Sequence, residues 1–248
     1  MTGGEHWFTR ATIKRHAPDV APLMNTLLNA DREGRRLNTT HRLLWTLMPE
    51  NTQRASNALA EAGQKAAFLW RSAPDHRGDS SWYVLGPRPR EDSAFFEVET
   101  KLWAPSLSAG DRLAFDIAVN ATVNRMVDPS GGRDGRRRSD VVMDAIHAAE
   151  RSAGASLPRA SLRSTLAAGA LKAWWDAQGE RNGFTTAALN VVTYSTVQLE
   201  GRRSARIGVS HITGLLEVRD PEPFNRRVTL GFGHAKAFGC GLLLLRRA

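Results

Sequence analysis

Short apolar stretches of changing period punctuate the chain, and their order predicts strands alternating with helices. Trp7 to Arg15 alternates as a strand, with Phe8, Ala11 and Ile13 among its apolar positions. Asp19 to Leu28 has the period of a short helix. The polar stretch Asn29 to Arg36 separates it from a second helix at about 39 to 48, capped by Asn38 or Thr39 and stopped by Pro49. Arg54 to Gln64 reads as a short helix or turn. Ala66 to Trp70 and Ser81 to Leu85 read as strands around the loop Ala73 to Ser80, and Phe95 to Trp103 as another strand.

Ala104 to Arg112, with Pro105, two serines and Gly110, has the composition of a linker, and the pattern restarts after it. Leu113 to Val119 is a strand and Asp128 to Ser139 a loop. Val141 to Arg151 and Ser161 to Gln178 are helical in period. Val191 to Leu199 and Arg206 to Val218 alternate as strands joined by a turn at Glu200 to Arg203. Pro221 to Leu230 is a short helix or turn, and Leu242 to Leu245 a closing strand. Strand, helix, hairpin, helix, strand is the order of a ferredoxin-like unit. The chain therefore reads as an α+β protein of two tandem ferredoxin-like (RRM-like) βαββαβ domains, residues 1–108 and 109–248, diverged until no sequence repeat shows.

Charge changes this picture from a generic fold to a class of partner. The 248 residues carry 34 Lys and Arg against 25 Asp and Glu, a net charge of +9. Only five of the basic residues are lysine. A GC-rich genome accounts for arginine over lysine but not for the excess of positive charge, which is the footprint of a nucleic-acid binder. The single cysteine, Cys240, excludes an intramolecular disulfide and a cysteine-rich zinc site, and fits a reducing cytosol. The seven histidines show no metal-ligand spacing, so no metal and no cofactor is expected. No apolar run is long enough for a transmembrane helix, and no secretory signal is visible at the N-terminus.

Three clusters carry candidate chemistry. Gly231 to Gly241 holds four glycines, with His234 and Lys236 among them, directly before the apolar run Leu242 to Leu245. Gly233, Gly239 and Gly241 with Lys236 suit an anion nest; the same stretch also reads as a glycine-rich turn before a strand. It is neither a Walker loop nor a dinucleotide fingerprint. His234 and Lys236 are open to phosphate contact or to packing. Arg133, Arg136, Arg137 and Arg138 put four like charges within six positions, a phosphate-gripping loop. Leu37, His41, Leu44 and Met48 form a helical stripe, on which His41 alone reads as a half-buried structural histidine. A position near the helix N-terminus would lower its pKa. Core packing accounts for most of the tryptophans at 70, 82, 103, 174 and 175. A helix buries only one ring of the Trp174–Trp175 pair on its main stripe and turns the other toward a partner.

Gly231 to Leu245, with Ala235-Lys236-Ala237 and Gly239-Cys240-Gly241, closely resembles the glycine-rich loop of the CasE proteins. These are the precursor-RNA endoribonucleases of type I-E CRISPR systems, in the RAMP superfamily. His41-Arg42-Leu43-Leu44-Trp45 with Pro49 resembles the family's histidine-bearing first helix. Phe115 to Asn120 with the arginines after it is similar to the first strand and basic hairpin of the second domain. Gly214 to Val218 falls where the family has its strand before the last helix. The resemblance implies two tandem ferredoxin-like domains, binding of the repeat stem-loop of precursor CRISPR RNA, and one metal-independent cut at the 3′ side of the stem. It further implies retention in the Cascade complex with its other subunits, in a prokaryotic cytoplasm. It makes His41 the proton-transfer residue. Where well-studied members carry a tyrosine three residues before that histidine, this chain has Asn38, and an extra segment at about 20–36 precedes it. A RAMP-type RNA-binding subunit without cleavage is the alternative, and a basic ribosome-associated protein a third.

Overall fold

The computed structural model describes residues 5–14, 33–52, 66–73, 80–126, 135–154, 158–199 and 205–248. The chain divides into two compact units. The first comprises Met1–Ser106, Val197–Arg206 and Asn225–Leu243; the second comprises Leu107–Thr196, Ile207–Phe224 and Leu244–Ala248.

In the first half the elements are β1 (Trp7–Ile13), α1 (Glu33–Leu44) continued by a 3₁₀ turn (Trp45–Leu47), β2 (Leu69–Ser72), β3 (Ser81–Gly86) and β4 (Phe96–Leu102). They form an antiparallel sheet in the order β2-β3-β1-β4, with Trp7 opposite Gly86 on one side and Leu102 on the other. Ala11, Ile13, Trp70, Trp82, Val84 and Phe96 bury one face of the sheet, and Leu43, Leu44, Leu47 and Met48 pack with them. The alternation of β1 and the stripe of α1 meet in this core, as their periods require.

Residues 87–95 hold no helix between β3 and β4. Pro87 and Pro89 restrict this stretch. Its backbone groups are satisfied elsewhere: Arg90 N–H donates to the Leu47 carbonyl (2.8 Å), and Ser93 Oγ accepts from Phe95 and Phe96 N–H at 3.3 and 3.1 Å.

In the second half follow β5 (Arg112–Val119), β6 (Thr122–Met126), β7 (Arg136–Asp140), α2 (Val141–Ala153), α3 (Arg159–Asn182), β8 (Phe184–Leu199), β9 (Ala205–Val218), α4 (Pro221–Leu230), a 3₁₀ turn (Lys236–Phe238) and β10 (Leu243–Arg247). The second sheet runs β10-β5-β9-β8, the same order as the first counted by position in the unit. This is the ferredoxin-like arrangement, with β6 and β7 as an inserted two-stranded ribbon. Leu113, Phe115, Ile117 and Val119 point inward from β5 and are all but fully buried. Phe115 stacks on Trp175 at 5.0 Å between centroids, Trp175 meets Phe184 at 5.1 Å, and Phe184 meets Phe224 at 5.5 Å. Both rings of the tryptophan pair are buried, Trp174 with 8% and Trp175 with 0% exposed, against the expectation that one faces outward. In its buried place Trp174 Nε1–H donates to the Thr122 carbonyl at the base of the ribbon (3.3 Å).

The expected helix at 19–28, the short element at 54–64 and the turn at 200–203 lie outside the described residues. No described helix is long and apolar enough to cross a membrane.

Candidate functional site

α1 is described from Glu33, six residues before the expected start. Asn38 and Thr39 are therefore not caps: Asn38 is an exposed residue inside the helix, and Thr39 Oγ1 donates back to the Arg35 carbonyl (3.0 Å). Gly34 marks a close approach of two backbones. A Cβ there would collide with the Gln198 carbonyl, so only glycine lets the first turn come this close to another backbone.

His41 consequently sits in the last turn of α1, where the helix dipole favours a charged imidazole. Its pKa is nevertheless lowered from 6.5, and the cause is burial. The ring is half-buried against Phe68 (5.4 Å, 35° between planes) and against the edge of Trp45 (6.1 Å, 74°). Phe68 and Trp45 meet each other edge-on at 5.2 Å. Aromatic surfaces thus frame a neutral imidazole that keeps one nitrogen as an acceptor at pH 7.

The glycine-rich stretch belongs to the same unit, and its 3₁₀ turn lies against α1 and β2. The loop is bonded to itself: Phe232 N–H donates to the Gly241 carbonyl (3.0 Å), Phe238 N–H to Ala235 (2.9 Å) and Gly239 N–H to Lys236 (3.3 Å). Lys236 Nζ turns back onto the Gly233 carbonyl at 2.8 Å. Gly241 has φ +93° with the Phe232 carbonyl 2.6 Å from where a Cβ would stand, so no other residue fits. Ala235, at φ 56°, is the one non-glycine among the described residues in the left-handed region. The loop therefore brings a fixed cation, Lys236, into the unit that carries His41, with several of its N–H groups already used internally.

Arg136, Arg137 and Arg138 form β7 rather than a loop, opposite Met126, Arg125 and Asn124 of β6. All three side chains are exposed. A two-stranded ribbon is marginal on its own in water, so this charged run depends on what ties the ribbon to the rest of the unit. Arg133 lies outside the described residues. The ribbon is tied to α2. Arg125 grips Asp144 of α2 through both Nε and Nη2, with contacts down to 2.6 Å.

Asp140 ends β7 and caps α2, its Oδ1 accepting from Val142 and Met143 N–H at 2.9 and 3.1 Å and from the Tyr194 hydroxyl at 3.0 Å. Burial raises the Asp140 pKa; the bonds from Met143, Tyr194 and Val142 work against that rise. Burial, the Asp140 charge and the shared bond together push the Tyr194 hydroxyl far up. Gly208 leaves room for this carboxylate, since a Cβ there would run into it.

The fold thus unites His41 with the glycine-rich stretch and leaves the arginines on the second unit. Two supports went unread in the sequence: the aromatic frame of Trp45 and Phe68, and the Asp140–Tyr194 anchor. The first has no local signal, because Phe68 is remote in sequence from α1. The second has one: Ser139-Asp140 directly before Val141-Val142 is a helix-capping signature. Among the described residues no three His, Cys, Asp or Glu side chains gather as a metal site.

The sequence profile of a family described as "CRISPR associated protein" matches residues 6–247. The fold is similar to that of Thermus thermophilus Cse3 bound to an RNA representing a pre-cleavage complex, with 20% identity and a TM-score of 0.59 over 98% of this chain and 100% of that one. Cas6e from Escherichia coli str. K-12 matches with 19% identity and a TM-score of 0.58 over 98% and 100%. A chain of a CRISPR RNA-guided surveillance complex, pre-nicking, matches with 17% identity and a TM-score of 0.56, again over 98% and 100%. No curated protein matches the chain in sequence. At these identities the structural likeness is one of fold.

Proposed function

Since the chain belongs to the family described as "CRISPR associated protein", we propose that it is a CasE-type, metal-independent endoribonuclease that binds the repeat stem-loop of precursor CRISPR RNA. It cuts once at the 3′ side of the stem and keeps the product as a subunit of the surveillance complex. Cse3 with bound RNA supports the substrate class, and the surveillance-complex chain supports the assembly. The observation that carries the chemistry is the half-buried imidazole of His41, kept neutral by burial beside Trp45 and Phe68.

In this reading the 2′-OH attacks the adjacent phosphorus. The P–O2′ bond forms as the P–O5′ bond breaks, leaving a 2′,3′-cyclic phosphate and a 5′-OH. One proton leaves the 2′ oxygen and one reaches the 5′ oxygen, on opposite sides of the phosphorus, so a single imidazole serves one and water the other. A neutral His41 is ready as the base. Lys236, with His234 and the N–H groups of Gly233 and Gly241, places positive charge and donors near the developing negative charge, while the Gly239 N–H, bonded to the Lys236 carbonyl, holds the loop in shape. Arg136, Arg137 and Arg138, with Arg133, grip stem phosphates, since an A-form stem is read through its shape and backbone. In chain order the 1–108 half brings the imidazole, and the 109–248 half brings both basic elements.

One observation favours the non-cleaving alternative. Asn38, one turn before His41, has an amide that can orient an imidazole but cannot exchange a proton as a tyrosine can. The chain's own repeat RNA, incubated in EDTA, separates the two readings. Cleavage is expected, and one 2′-deoxy substitution 5′ of the scissile phosphate should abolish it. Tight binding without any cut would make the chain a binding subunit, and cleavage of the deoxy substrate would remove the 2′-OH mechanism.

A further inference from the structure

The four outer strands of the two sheets are not alike. β2 has only four residues. β4 carries Glu97, Glu99 and Lys101, all exposed. β10 is five residues long and ends in exposed Arg246 and Arg247. Short length and charge are the usual means of keeping a sheet edge from pairing with another chain. β8 uses neither. It runs 16 residues without one charged side chain or proline, in a protein of net charge +9. Among the described residues β9 flanks it on one side and no strand on the other. Asn190, Val192, Thr193, Ser195 and Thr196 are exposed, Val192 by 48%, so both faces as well as the edge of its middle are open. Its composition, rich in Val and Thr, is that of a strand ready to pair.

We propose that the free edge of β8 is a strand-addition site for an extended, uncharged segment of another protein subunit in the complex. The inference rests on the reading of the chain as a subunit of a CRISPR surveillance complex. The charge pattern selects this occupant. RNA is held through cations, and β8 has none. A second copy would bring another +9 against the first, and net charge of one sign keeps chains apart. A neutral segment of a different protein meets neither objection, and main-chain hydrogen bonds to an open edge supply affinity without charge.

The test is reconstitution of the complex from the chain, its CRISPR RNA and the remaining protein subunits of the same system. Val192→Lys with Thr193→Lys puts a cation on each face of the edge, both at exposed positions that should not affect folding. Incorporation of this variant should fall at least about tenfold, while repeat-RNA affinity stays within about twofold of the parent. Val192→Thr, which stays uncharged and strand-forming, should assemble as the parent does. In the assembled parent, backbone amides of residues 187–196 should gain protection from hydrogen exchange. Normal incorporation of the lysine variant, or unprotected β8 amides, would overturn the proposal while leaving the subunit reading intact. A dimer of the chain alone that the lysine pair dissolves would overturn the choice of occupant. Failure of the parent itself to enter the complex would overturn the subunit reading and this proposal together.

Discussion

The surroundings of His41 and the ribbon of β6 and β7 solve opposite electrostatic problems. His41 lies among aromatic rings, half out of water, and burial makes it neutral against the preference of its own helix end. Arg136, Arg137 and Arg138 stand in water on a ribbon whose only demand on the protein is an anchor, provided by Arg125–Asp144 and by Asp140. A proton-transfer group gains from a dry wall, because a modest loss of hydration moves its pKa. A phosphate grip gains from exposure, because folding then buries no uncompensated charge and the side chains stay accessible to a partner. The chain places the two on different units, so each should be breakable without the other.

The largest expected effect is on the anchor. Asp140→Ala removes the cap of α2 and strands the half-buried Tyr194 hydroxyl, a loss of about 2–3 kcal/mol of folding stability by chemical denaturation. Asp140→Asn, which still offers an oxygen acceptor, should recover about half of it. Equal losses in both would mean that charge, not the oxygen acceptor, holds the ribbon.

Next comes the grip itself. Replacing Arg136, Arg137 and Arg138 together by alanine should weaken repeat-hairpin binding by about 10²-fold and flatten the log–log salt dependence by up to about one unit per lost phosphate contact. The rate of cleavage once RNA is saturating should change little. An unchanged salt slope would reduce this strand to solvated surface.

A smaller effect separates burial from dipole at His41. Its folded pKa lies below the unfolded 6.5, so on acidification the unfolded chain takes up the proton first. His41 thus contributes stability above pH 6.5 that is lost as pH falls through the lowered folded value. The acidic limb of single-turnover cleavage should likewise lie below 6.5. Trp45→Ala, which wets the ring, should move that limb back toward 6.5; a limb that stays in place would show that Trp45 is not part of the dry wall.

The smallest effect is at Asn38. Asn38→Tyr restores the family's pair and should preserve or raise the rate, with hairpin affinity unchanged. A rate that falls well below the parent's would mean that the amide already orients His41.

The parts of the fold that were legible are those where burial alternates with a fixed period. β1, β3, β5 and the helices α2 and α3 are placed by such patterns, because one face of each must leave water. The start of α1 was not legible. Glu33-Gly34-Arg35-Arg36 has the composition of a linker, yet it is helical, with the Gln198–Leu199 backbone packed over Gly34. The ribbon was misread as a loop for a related reason, since an exposed strand of arginines has no apolar period. Trp174 is buried with a bond to Thr122 that no helical stripe foretells. His41 itself was visible on its stripe, and so was the direction of its pKa. The cause was not, because it depends on Phe68, which comes from another part of the chain.

One measurement bears on the division between chemistry and grip more directly than any other: cleavage rate and hairpin affinity of His41→Ala, taken side by side in EDTA. The account predicts a single-turnover rate lower by at least about 10²-fold, the scale of losing a general acid or base, with affinity within about twofold of the parent because phosphate contacts dominate binding. Cleavage at the parent rate would contradict it and place the active site elsewhere in the chain.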